Sequence, residues 1–340
     1  MATLQVKKST KLATLTMEGP WPTAIAFLEK DKLVVGNRGG QMFLWNLPEK
    51  PTTEETAPSR QLKGHTNGIT HLRATKDGKT LVSSSLDRSI RIWNPDAKAT
   101  GQAEVILDIE QRKRDSKRKR KPEILTAPGV KVETIAAAHT LAERGDWIQA
   151  LGMSADEKRI ISGDDKGQVI VHDLANQGRI NGWSVKLWVI AADLSPDGRT
   201  AVVSENRRRA GDFDRAVPAL KLWDVATGKV KKDLYPTEKK SRTVYRKFFA
   251  NGLIAARFSP DGKILAVGQG GETGTGKVHL FDVESGKLLR SVSGHRYGVT
   301  DLLFSADSKY VISTGRDTMV RITSVSDGKE AAQLGKQRGG

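Results

Sequence analysis

Six histidines, His65, His71, His139, His172, His279 and His295, are spread along this 340-residue chain. Imidazole is the side chain best suited to proton transfer or metal binding near neutral pH. None of the six stands in a His-x-His or His-Glu-x-x-His arrangement, the spacings that bring two ring nitrogens to one metal. The sequence has no cysteine, which removes thiolate ligands, a thiol nucleophile and disulfides. Asp164, Asp165, Lys166 and Gly167 offer carboxylates close together, but the further oxygen ligands of a calcium loop are absent and the stretch reads as a turn. The stretch from Gly270 to Lys277 has the glycines and lysine of a phosphate loop. Val278 follows where a Ser or Thr is needed, and it opens a strand where a helix should start. There is no Gly-x-Ser-x-Gly elbow and no isolated carboxylate pair. The sequence therefore predicts no enzyme, no metal site and no cofactor.

Charge is the more informative chemistry. Lys and Arg number 56 against 39 Asp and Glu, a net charge of +17. Residues 111–121, QRKRDSKRKRK, hold eight cations (Arg112, Lys113, Arg114, Lys117, Arg118, Lys119, Arg120 and Lys121) and one acid, a net of +7. Residues 229–247 hold eight cations and two acids, a net of +6. Together they account for 13 of the 17 net charges. Such runs displace phosphate counterions, which gives binding without sequence preference that falls steeply with salt. They also occur simply as solvated loops. In residues 236–252, Lys239, Lys240, Arg242, Arg246 and Lys247 alternate with Tyr245, Phe248 and Phe249, and bases stack on such rings when they are exposed. Nucleic acid or another polyanion is thus one expected partner. Arg207, Arg208 and Arg209 are followed by Asp212 and Asp214, which weakens their charge.

The elements that must position these residues are strands. A turn signature recurs after short apolar runs at Thr75-Lys76-Asp77-Gly78, Ser154-Ala155-Asp156-Glu157, Ser195-Pro196-Asp197-Gly198, Ser259-Pro260-Asp261-Gly262 and Ser305-Ala306-Asp307-Ser308. Proline presets such a turn and Asp-Gly permits positive φ, the chemistry of a hairpin. Strand-like runs flank the turns, for example 69–74 and 80–85, 147–153 and 159–162, and 253–258 and 264–267. A third run follows each time, at 41–45, 89–93, 168–172, 219–223, 277–281 and 319–323. Their ends lie 48, 79, 51, 58 and 42 residues apart, a period just over 40 stretched by insertions at 110–130, 207–218 and 236–252.

This pattern resembles the WD40-repeat family. The fullest copy is Gly64-His65, then Ser85, Asp87 and a closing Trp93-Asn94. Trp223-Asp224 and Phe281-Asp282 keep only the strand ending, and Gly294-His295 with Asp317 has Thr323 in place of the tryptophan. The resemblance implies an all-β fold, a WD40-type β-propeller of four-stranded blades filling residues 1–340 as one domain. The worn blades with Ser-Pro-Asp-Gly turns resemble divergent, bacterial-type members. Six blades are clear, starting near residues 23, 69, 147, 188, 253 and 299. Residues 2–6 and 11–15 read as two further strands and 329–334 as a last outer strand. Either six blades close with a spare segment, or a seventh is incomplete. The family also implies a structural hydrogen-bonded relay through His65, Ser85, Asp87 and Trp93. If Ala138-His139 stands for the Gly-His pair, 132–137 is an outer strand and the 110–130 loop leaves the bottom. If 104–109 is that strand, the loop leaves the top.

In this family the connections from outer to next inner strand, and from second to third strand, share the top face. That placement gathers Trp21, Arg38, Asn67, Arg88, Trp147, Arg207, Arg296, Tyr297 and Arg316. Tryptophan, tyrosine and arginine dominate binding hot spots. The alternative is that Trp21 and Trp147 plug the propeller centre. The leading expectation is a non-catalytic scaffold that docks protein partners on this face. The longest apolar runs, such as 188–192, fall far short of the ~18 residues of a membrane span. Residues 1–17 lack the apolar core of a secretory signal. A cytoplasmic protein with no membrane partner is expected.

Overall fold

A computed structural model of the protein describes residues 12–15, 19–29, 31–53, 55–105, 130–141, 145–206, 218–234, 252–270 and 276–335. All the regular structure among them is β, with no helix. The described residues fall into two compact units, an N-terminal one within 12–141 and a C-terminal one within 145–335.

The N-terminal unit holds β1 (Thr14–Leu15), β2 (Pro22–Phe27), β3 (Lys32–Asn37), β4 (Met42–Asn46), β5 (Glu55–Thr56), β6 (Arg60–Lys63), β7 (Ile69–Ala74), β8 (Leu81–Ser85), β9 (Ile90–Trp93), β10 (Gly101–Val105), β11 (Val130–Ala136) and β12 (His139–Leu141). Strands β2, β3, β4 and β6 form one antiparallel blade and β7, β8, β9 and β12 the next. Between these sheets lie Val34, Met42, Leu44, Leu62, Ile69, Leu72, Leu81, Trp93 and Ile135, all buried. Alternation puts Val34 on that side and Val35 on the other, so both faces of the sheet are apolar.

The C-terminal unit repeats the plan in four sheets. The first has β13 (Ile148–Met153), β14 (Arg159–Asp164), β15 (Gln168–Asp173) and β16 (Arg179–Ser184), and the second β17 (Trp188–Leu194), β18 (Thr200–Asn206), β19 (Ala219–Asp224) and β20 (Lys229–Asp233). The third has β21 (Leu253–Phe258), β22 (Ile264–Gln269), β23 (Gly276–Asp282) and β24 (Leu288–His295), and the fourth β25 (Val299–Phe304), β26 (Tyr310–Gly315), β27 (Val320–Ser324) and β28 (Glu330–Leu334). Apolar clusters join each sheet to the next. The six sheets are blades of the WD40 β-propeller type, and β28 is the outer strand read at 329–334.

The recurring turn owes its shape to one device. The Ser or Thr hydroxyl donates to the Asp two residues on, at 2.6 Å for Thr75, Ser195, Ser259 and Ser305. The same hydroxyl of Ser195 accepts the amide of Thr200 at 2.9 Å, locking the turn between the first two strands. Gly78 at φ +68° supplies the left-handed residue that closes the first of these turns. In all six sheets the first strand also skips one residue against the second, at Thr23, Thr70, Gln149, Ile190, Ile254 and Thr300. Such a bulge adds twist just after the strand enters the sheet.

Two expectations need correcting. Neither 132–137 nor 104–109 is the outer strand of the second blade: that strand is β12, three residues on β9. Strands β10 and β11 instead form a hairpin, and β11 adds in parallel to the outer edge of the first blade, making a six-stranded sheet. The edge of β6 offers unpaired backbone groups, and Arg60 fixes the hairpin by an ion pair to Glu133 at 3.0 Å. Val105 and Val132 then bury against Val35, Phe43 and Trp45. Glu133 lies opposite Arg60, the first residue of β6, so Val105 and Val130 sit beyond the start of β6. The hairpin stems of the basic segment thus leave the sheet at the end away from the β6 to β7 connection. The second correction concerns the N-terminus. The described part of 11–15, β1, pairs in parallel with β5 and is not a blade's outer strand, while 2–6 lies outside the described residues.

Candidate functional site

An antiparallel meander sends its connections alternately to opposite ends. The turns between second and third strands therefore share an end with the segments entering the first strands. A repeated backbone bond ties the two. The amide of Arg38 donates to the carbonyl of Trp21, Leu86 to Gly68, Asp165 to Trp147, Gly270 to Gly252 and Arg316 to Gly298, at 2.8 to 3.0 Å. Within the N-terminal unit this end carries Trp21, Arg38, Asn67 and Arg88. Within the C-terminal unit it carries Trp147, Lys166, Lys186, Arg296, Tyr297 and Arg316. Arg207 and the basic residues 112–121 and 239–247 lie outside the described residues.

Trp21 is 84% exposed, so it is no plug, and Trp147 and Tyr297 are 38% and 36% exposed. Arg38, Arg88, Arg296 and Arg316 are all exposed. Arg88 sits at φ 71°, the left-handed region that costs a residue with a Cβ about 1–2 kcal/mol. The Arg296 guanidinium lies over the Tyr297 ring, 5.6 Å from its centre.

Beneath the rim run the relays. His65 Nδ1 meets Asp87 Oδ2 at 2.8 Å and His65 Nε2 meets Ser83 Oγ at 2.7 Å. Trp93 Nε1 donates to the same Ser83 hydroxyl at 2.8 Å. A neutral ring satisfies the set: Nδ1–H donates to Asp87, Nε2 accepts from Ser83, and Ser83 accepts from Trp93. The relay serine is therefore Ser83 and not Ser85. Ser85 shares its face of β8 but sits at the strand's end, where its hydroxyl donates to the Asn67 carbonyl at 2.8 Å and accepts the Asp87 amide at 3.0 Å. Gly64 leaves room for the arrangement, since a Cβ there would strike the Arg91 guanidinium and crowd the Trp93 ring.

Electrostatics agree with that protonation. Burial lowers the His65 pKa, against the pull of Asp87. Burial raises the Asp87 carboxyl, but the donors from His65 and Ser89 and the Thr66 amide together hold it well below the usual carboxylate range. The second relay joins His295 Nδ1 to Asp317 Oδ1 and His295 Nε2 to Ser313 Oγ, both at 2.9 Å, with Thr323 in the tryptophan position. Asp317 is likewise lowered, burial being outweighed by His295 and the Arg296 amide.

The worn copies show what replaces the relay. Ser83 stands opposite Arg91, and Val203 holds the corresponding register opposite Lys221. Trp223 there stacks on Trp183 at 5.4 Å. In the first blade Trp45 donates to the Thr56 carbonyl at 3.0 Å. His279 is buried against Ser291, its Nδ1 2.8 Å from the hydroxyl, and burial with nearby Lys277 lowers its pKa to about 4. Asp164 accepts the amides of Lys166 and Gln168, forming the expected turn. No group of three or more His, Cys, Asp or Glu among the described residues is placed to hold a metal. No helix among the described residues is long and apolar enough to cross a membrane.

Residues 56–94 and 286–324, the stretches that contain the two relays, match the family model described as WD domain, G-beta repeat. Echinoderm microtubule-associated protein-like 2 of Rattus norvegicus is 24% identical over 319 residues, 93% of this chain and 38% of that protein. Autophagy-related protein 16 of Arabidopsis thaliana is 28% identical over 173 residues, 50% of this chain and 28% of the relative. Small ribosomal subunit protein RACK1 of Drosophila melanogaster is 29% identical over 83 residues, 24% of this chain and 26% of the relative. The chain thus spans well under two thirds of the length of these relatives. The repeats, the blade topology and the His–Ser–Asp relays agree with these matches, and the two matched stretches are WD40 repeats.

Proposed function

We propose that the protein is a non-catalytic scaffold that docks protein partners on the rims of its blades, carrying Trp21, Arg38 and Arg88 in one unit and Trp147, Arg207, Arg296, Tyr297 and Arg316 in the other. The observation behind this reading is the exposure of Trp21, Trp147 and Tyr297 on connections that also project arginines. Large amphipathic side chains of this kind bury much area with little loss of rotamer freedom. The buried histidines argue in the same direction, because His65, His279 and His295 are engaged with serines below the surface. One similar protein is named as microtubule-associated and another as part of the small ribosomal subunit, which favours attachment to larger assemblies. A cytoplasmic location belongs to the same proposal. Affinity capture from native cells, with and without nuclease, tests it. Trp147→Ala together with Tyr297→Ala is expected to release partners that survive nuclease. Unchanged capture by that double variant sinks the reading.

The second reading is polyanion binding through residues 111–121 and 239–247. It is favoured by the hairpin β10–β11, whose stems leave the sheet at the end away from the β6 to β7 connection. Deleting 111–121 removes a net of +7. The slope of log affinity for nucleic acid against log salt should then flatten by up to about 6. A gel-shift series showing no retention at low salt rules it out.

A further inference from the structure

We propose that the rim of the last sheet, built on Arg296, Tyr297 and Arg316, receives an acidic segment of a protein partner. The inference rests on the rim being the docking surface and adds the chemistry of what docks.

Acids and cations at this end have opposite fates. Asp317 is 4% exposed in its side chain, and both its oxygens are committed: Oδ1 to His295 and the Met319 amide, Oδ2 to the Arg296 amide. In the same unit Asp164, Asp165 and Glu205 are 0%, 7% and 3% exposed, and Glu205 pairs with Lys221 at 3.1 Å. Asp146 is the half-buried exception among the described acids of these connections, and it caps the Trp147 amide. Lys166, Lys186, Arg296 and Arg316 by contrast are exposed. Buried acids are taken up by the protein's own amides, imidazole and Lys221, so among the described residues of these connections the charge presented to solvent is positive.

Within this field the last sheet offers a formed group. The Arg316 amide bonds to the Gly298 carbonyl at 3.0 Å, which fixes the two arginine-bearing connections side by side. No carboxylate of a described residue pairs with Arg296. Its guanidinium rests on the Tyr297 ring, an arrangement that orders the side chain and leaves its N–H edge for a carboxylate. The guanidinium also occupies a face of that ring, which disfavours base stacking there and favours a peptide over a nucleic acid.

The test uses the full chain and fluorescence anisotropy with three probes: a labelled 12-residue glutamate-rich peptide, a lysine-rich peptide of equal length, and a 12-nucleotide oligo-dT. The acidic peptide should bind and the lysine peptide should not. Arg296→Glu with Arg316→Glu should weaken acidic-peptide binding by about tenfold or more. Arg296→Lys, which keeps the charge and loses the planar fork, should weaken it by about threefold and covers the case in which the double variant misfolds. Deleting 111–121 should leave it within about twofold. Unchanged peptide binding in the arginine variants overturns the proposal. So does a loss that follows the 111–121 deletion instead, or oligo-dT binding that depends on the arginines more than peptide binding does. If Trp147→Ala with Tyr297→Ala releases captured partners while the arginine variants keep the peptide, rim docking stands and the acidic ligand falls. If the arginine variants lose the peptide while capture is unchanged, the converse holds.

Discussion

The repeats at 56–94 and 286–324 are built alike residue for residue, His65, Ser83 and Asp87 corresponding to His295, Ser313 and Asp317, yet one ends its third strand in Trp93 and the other in Thr323. The histidine, serine and aspartate keep their contacts in both, within 0.2 Å of each other. The tryptophan is therefore not what holds the histidine in place. It adds a buried ring that is 1% exposed and a second relay bond to the serine. The histidine ties the entering connection to the turn between second and third strands, so the rim above can persist after the tryptophan has gone.

The largest contrast should come from the strand ending. Trp93→Ala is expected to cost about 3–5 kcal/mol, as large buried rings do, and Thr323→Ala less than about 1, read from denaturant midpoints. Equal costs would mean that the two repeats are not built alike. Ser83→Ala leaves both His65 and Trp93 without their buried partner and should cost about 2–4 kcal/mol. Ser313→Ala deprives only His295 and should cost about half of that. Ser85→Ala should cost about 1, and a larger loss there than at Ser83 would break the relay assignment.

Acid sharpens the comparison further. A buried neutral histidine with a lowered pKa binds its proton more readily when unfolded, so stability falls as pH drops from 6.5 toward the folded value. His279, lowered to about 4, should account for about 3 kcal/mol at that pH. His279→Asn should flatten the stability profile between pH 6.5 and 4, and the slope that remains includes His65, which is shifted the same way. Asp87 and Asp317 act at the other end. Their contribution is present above the ordinary carboxylate value and is lost only as pH falls through their depressed values. A profile unchanged by His279→Asn would mean that this ring titrates normally. The smallest effect is expected at Val203→Ser, which restores a hydroxyl in the register of Ser83 near Trp223 while losing buried apolar surface. The net change should lie within about 1 kcal/mol, and a loss above about 2 would show that the Trp223 indole gains nothing from it.

Much of this architecture is local and was therefore legible in the residues. A hydroxyl and an aspartate two positions apart make their own turn, and alternation over 69–74 or 253–258 fixes which side chains face the next sheet; both strands have the expected bounds. His65, Asp87 and Trp93 stand out by type alone. What the sequence left open depended on partners distant along the chain. Ser83 and Ser85 point to the same face of β8, and only the reach of His65 and Trp93 selects between them. The pairing of β11 with β6 joins segments about 70 residues apart through backbone groups, which carry no side-chain signature. The net charge was countable at once, but the burial of Asp164, Glu205 and Asp317 below the rim was not, because a carboxylate's exposure is set by the amides, lysine and imidazole that folding brings to it. Sequence determined the repeat and its turns. Tertiary structure decided which charges are left facing solvent.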